Sequence, residues 1–71
     1  MESIAKKIKI ACVKKDTNVT QLAGKLELSK ENFHAQLKRD NFRTNDIERI
    51  ADTLGYDVEM NFIDRETREK F

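Results

Sequence analysis

Seventy-one residues allow one domain, near the lower limit at which a hydrophobic core holds a chain together without staples. A single cysteine and no proline exclude a disulfide framework and a proline-rich segment, and no repeat is visible. The formal net charge of +1 conceals an asymmetry: residues 1–43 carry ten Lys and Arg against five Asp and Glu, whereas residues 44–71 carry four against eight. Such a division fits one face for a polyanion and another turned away from it, although a chain this charged would also have solvated faces of both signs.

Ile4, Ile8, Ala11 and Cys12 recur at helical spacing and mark an amphipathic helix from about Ser3 to Lys15. Ser3 is suited to cap its start, and the closing lysines suit its negative end. Cys12 falls on the apolar face, so a buried, inert thiol is expected, and a lone cysteine fits a reducing cytoplasm. The apolar run "IKIACV" is short and broken by lysine, which argues against a membrane span or a secretory signal.

Asp16 and Thr17 lead to a second, short helix capped by Asn18, with Leu22, Ala23 and Leu26 on its inner side. Ser29 caps a third helix, with Glu31 and Asn32 in the first turn and Phe33 and Leu37 four apart on one face. The segment "KRDNF" reads as a loop anchored by Phe42. A fourth helix is expected from about Thr44 to Leu54, where Ile47, Ile50, Ala51 and Leu54 keep helical spacing and Gly55 ends the run.

At Tyr56 the period falls to two. Tyr56, Val58, Met60 and Phe62 alternate with Asp57, Glu59 and Asn61, which predicts a strand from about Tyr56 to Ile63. A fifth helix competes, because Val58 and Phe62 are also four apart. The remainder, "DRETREKF", is polar and expected to fray, although Phe71 is an odd residue for a free end. The expected fold is therefore mainly α, four short helices with a C-terminal β-strand, as one domain of residues 1–63 and a polar tail of 64–71.

These elements, with "LA" at Leu22–Ala23, "KL" at Lys25–Leu26, "LS" at Leu28–Ser29, Phe33 and "IADTLG" at Ile50–Gly55, resemble the Cro/repressor-type (XRE, lambda-repressor-like) helix-turn-helix family. The resemblance runs from Ile4 to Val58 and is fairly specific in its order and spacing. Physically, a small residue such as Ala23 lets two helices cross closely. Leu28 and Phe33 are expected to fill the angle between them, leaving the third helix proud of the body and free to enter a major groove. Glu27 stands at the turn where the family prefers glycine, and Gly24 comes three residues earlier, on the outer side of the second helix. Val19 stands where relatives often place a polar contact, Thr17 is usually apolar, and Leu37 follows Phe33 by four residues rather than three.

The resemblance implies a sequence-specific DNA-binding regulator of transcription, phage-like or bacterial, binding a two-half-site operator as a homodimer. Lys30, Glu31, Asn32 and His34 are the candidate base-reading residues. Asn and Lys have the donors and acceptors for adenine and guanine, while Glu31 would repel phosphates unless it accepts from a cytosine amino group. Asn18, Ser29, Lys38, Arg39 and Arg43 are candidates for phosphate contact. An ordinary polar surface is the plainer account of each.

A strand after four helices has no partner within its own pattern. A second copy paired antiparallel, as in lambdoid phage Cro proteins, would complete it through Tyr56, Val58, Met60 and Phe62. A protein-interaction module on the same fold, such as an antitoxin or accessory subunit, is the competing reading. No nucleophile–base pair, metal-ligand cluster or phosphate-cradling glycine loop is present in the pattern, so neither an enzyme nor a cofactor is expected.

Overall fold

The computed structural model describes residues 3–71. Four α-helices follow one another, α1 (Ile4–Lys14), α2 (Val19–Lys25), α3 (Lys30–Arg39) and α4 (Thr44–Leu54). Three of them start on a side chain that takes up an otherwise unpaired amide of the first turn. Ser3 accepts from Lys6 N–H at 3.2 Å, Asn18 from Gln21 N–H at 2.8 Å, and Ser29 from Asn32 N–H at 3.1 Å. At α4 the bond runs backwards, from the Arg43 N–H to the Asp46 carboxylate at 3.1 Å.

Three helices also end alike, on a backbone bond that spans six residues. Thr17 N–H donates to Cys12 O, Leu28 N–H to Ala23 O, and Tyr56 N–H to Ala51 O, at 2.9, 3.0 and 2.8 Å. This closure needs a residue in the left-handed region, and the three are Asp16, Glu27 and Gly55, with φ of 56°, 59° and 84°. Glu27 therefore holds an angle that glycine would adopt freely, at a cost of about 1–2 kcal/mol.

The helices enclose one core. Ala5, Ile8 and Cys12 of α1 meet Leu22 and Ala23 of α2, Leu26 at its end, Phe33 and Leu37 of α3, and Ile50 and Leu54 of α4. Leu22 and Phe33 are wholly enclosed, and burial pushes the Cys12 thiol up from its ordinary pKa. Leu26 and Phe33, on either side of the α2–α3 turn, are both buried in this core. Leu28, expected with Phe33 in the angle between the helices, is 38% exposed.

Polar bonds tie the elements together at their ends. Asp40, left-handed at the close of α3, accepts from the Ala5 N–H of α1 at 2.8 Å. Arg49 of α4 donates to Leu26 O at 2.7 Å, and Gln36 of α3 donates to Asp46 of α4 at 3.4 Å.

After Gly55 the structure departs from the expectation of a strand over Tyr56–Ile63. No strand occurs among the described residues; the segment is extended and carries only an isolated antiparallel bridge between Ile63 and Lys70. A strand needs a neighbour, and residues 56–61 have none paired with them among the described residues. The tail expected to fray supplies one further on. Phe62 and Phe71 exchange both backbone bonds, at 2.7 and 3.0 Å, and Asp64 N–H donates to Glu69 O at 2.9 Å. Asp64 closes the turn by accepting from the amides of Glu66 and Thr67, which hold its carboxyl below the usual carboxylate range. The Phe62 and Phe71 rings lie 5.9 Å apart.

Candidate nucleic-acid interface

The outer side of α3 follows from its inner one. Phe33 and Leu37, four apart, are buried and fix the helix's rotation about its axis. Lys30, His34 and Lys38 then form a second four-residue row, fully on the exposed side, with Glu31 and Asn32 also exposed beside its start. Arg39 closes the helix, and Arg43, two residues beyond the loop's Asn41, is exposed at the start of α4. The structure thus collects Lys30, Glu31, Asn32, His34, Lys38, Arg39 and Arg43 along one helix and its exit loop. Three donors of positive charge lie at or just past its C-terminal end.

Two expected contributors have other engagements. The side-chain oxygens of Asn18 and Ser29 accept from Gln21 N–H and Asn32 N–H, so what each can offer a phosphate is reduced to its remaining atoms. Val19 is half-buried and packs against the core. Thr17 donates its hydroxyl to Gln21 Oε1 at 2.7 Å.

The four residues expected at a dimer contact divide. Tyr56 is half-buried against the core, with Lys15 Nζ 4.6 Å above its ring centre. Val58, Met60 and Phe62 are increasingly exposed, at 43%, 67% and 71%, and Phe71 adds a fourth large apolar group at 76%. An apolar groove of about 590 Å³ runs between α1, α4 and the start of this segment, bordered by Ile4, Ile8, Ala11, Ile47, Val58 and Met60.

Sequence reasoning missed the residues that hold the site rather than those that face outward. Asp40, Gln36, Asp46 and Arg49 look like ordinary surface residues of their segments, and their partners lie 10 to 35 residues away. Only Phe71, conspicuous in a polar tail, carried a signal. Among the described residues no group of three or more His, Cys, Asp and Glu stands ready to hold a metal ion, and no helix is long and apolar enough to cross a membrane. No family model matches the chain, and neither a curated protein nor a solved structure matches it.

Proposed function

We propose that this chain is a sequence-specific regulator of transcription that binds double-stranded DNA in a reducing cytoplasm, as a homodimer on a two-half-site operator. The observation that carries the reading is α3. Its apolar row is enclosed, its outer row is polar and cationic, and Arg39 and Arg43 follow where a helix lying in the major groove brings its exit loop to the phosphates. In this reading Lys30, Asn32 and His34 read base edges, Glu31 accepts from a cytosine amino group, and Lys38, Arg39 and Arg43 hold phosphates.

The second copy is argued from the C-terminal segment. The amides of Phe62 and Asp64 are engaged within the hairpin, so the intervening Ile63 directs its own N–H outward. That open edge, beside the exposed Val58, Met60 and Phe62, suits antiparallel pairing with its own copy about a two-fold axis. The two-fold would set the two reading helices about 34 Å apart, the repeat of the major groove on one side of DNA.

The same apolar segment favours a second reading, a module that docks another protein, such as an antitoxin or accessory subunit. Selection from random duplexes followed by sequencing separates the two. A palindromic consensus, bound with a steep loss of affinity as salt rises, supports DNA reading. No enrichment over the starting pool, with the folded protein held by another protein instead, refutes it.

A further inference from the structure

The turn between α2 and α3 closes on Glu27 at φ 59°, a conformation glycine adopts freely and glutamate resists. Two backbone bonds hold it, Glu27 N–H to Gly24 O at 3.1 Å and Leu28 N–H to Ala23 O at 3.0 Å. The carbonyl of Leu26 lies between them in sequence, at the negative end of α2. Arg49, 23 residues further on in α4, donates to it from Nη2 at 2.7 Å. A guanidinium there both satisfies a helix-end carbonyl and complements its partial charge. One turn earlier in α4, Asp46 accepts from Gln36 of α3 at 3.4 Å. α4 therefore grips the α2–α3 pair on both sides of the turn.

We infer that Arg49 is a positioning residue for the reading helix: its guanidinium closes the α2–α3 turn from outside and so fixes the angle at which α3 leaves the body. The inference deepens the proposed DNA reading and rests on it. It also explains how the motif stands without its glycine. Strain at Glu27 is opposed by a bond from a helix that is not part of the motif, so Arg49 and Glu27 are coupled.

Arg49→Met keeps the aliphatic stem and removes the donors, and Arg49→Lys keeps the charge without the fork. Each is made with Glu27 present and with Glu27→Gly. The first readout is hydrogen exchange of the Leu28 amide without DNA, in protein whose helical circular dichroism is intact. The second is affinity for the selected operator relative to random duplex.

Arg49→Met should speed Leu28 exchange about tenfold and lower operator preference about tenfold, in line with loss of one bond from a charged donor. Arg49→Lys should fall between, and Glu27→Gly should shrink both effects. Unchanged exchange and preference in folded Arg49→Met would overturn the inference, as would losses of equal size in both backgrounds. If wild type prefers no duplex, the DNA reading itself fails, and the exchange result alone then decides whether Arg49 holds the turn.

Discussion

At Gly24 an added Cβ would meet nothing within 4 Å, and the residue sits in a helix, where glycine is about 1 kcal/mol worse than alanine. Gly24→Ala should therefore stabilise the chain by about that amount. Gly55→Ala should do the reverse, costing about 1–2 kcal/mol, because φ there is 84° and the left-handed region penalises any Cβ. The Lys15 ammonium, 3.5 Å from the new atom, is a flexible tip and can move aside. Urea midpoints with unchanged slopes check both, and the same sign for the two variants would contradict the angle argument. On the outward side, Lys30→Ala and Asn32→Ala should each weaken operator binding by roughly 1–3 kcal/mol while barely changing binding to random duplex. Equal losses on both would remove these residues from base reading. Gly24 and the outward row were legible in the sequence because exposure follows from helical period. Glu27's left-handed angle showed there only as its place at a turn that favours glycine, and Arg49's grip on Leu26 was invisible, since nothing local distinguishes it from any other helix-surface arginine.

The helices α1 to α4 began within about a residue of where caps put them, as expected when local signals decide, but α3 runs on through Lys38 to Arg39, into the segment read as a loop. Residues 56–71 did not follow. Alternation at Tyr56–Phe62 reports a half-exposed extended chain and says nothing of what lies beside it, while the returning segment from Thr67 to Phe71 is too short to show a period. The hairpin hangs on Asp64, whose carboxyl is lowered mainly by the Glu66 amide and then by that of Thr67. A lowered folded pKa means the turn's stabilisation is present above the ordinary carboxylate range and fades as pH falls through the lowered value. The amide shifts of Phe62 and Phe71 should accordingly hold steady from neutral pH down to that range and drift towards random coil below it. Asp64→Ala should show the drifted values already at neutral pH. A hairpin that stays formed in Asp64→Ala would mean the ring pair alone suffices.

A compact chain of this length has a radius of gyration of about 11 Å. Here it is 13.8 Å, and the longest extent, 44 Å, is nearly twice the next, 23 Å. Every residue from Asp57 onward is exposed, and beyond Met60, which still borders the groove with α1 and α4, the C-terminal hairpin carries Phe62 and Phe71. A domain this small gains from covering such area, at about 25 cal/mol per Å². Phe62→Glu should leave helical circular dichroism intact, convert the protein to a monomer in sedimentation at about ten micromolar, and weaken operator binding sharply by parting the half-site readers. A wild type already monomeric there, or a variant still dimeric, would sink the paired-copy reading.

The bond from Ala5 to Asp40 joins residues 35 apart in sequence, whereas Arg49 reaches Leu26 across only 23. Closing the longer loop costs only about a few tenths of a kcal/mol more chain entropy, so it is the bond itself, at the start of α1, that resists α1 lifting away from α2, α3 and α4. Cys12, 2% exposed on α1's inner face, is sealed only while α1 is seated. Its thiol is thus a built-in clock for that excursion. Asp40→Ala should hasten labelling of Cys12 by a thiol reagent several-fold while the urea slope stays unchanged, because loosening one cap raises the open population without exposing more surface on full unfolding. Labelling no faster than wild type would mean α1 parts from the rest only when the whole chain unfolds.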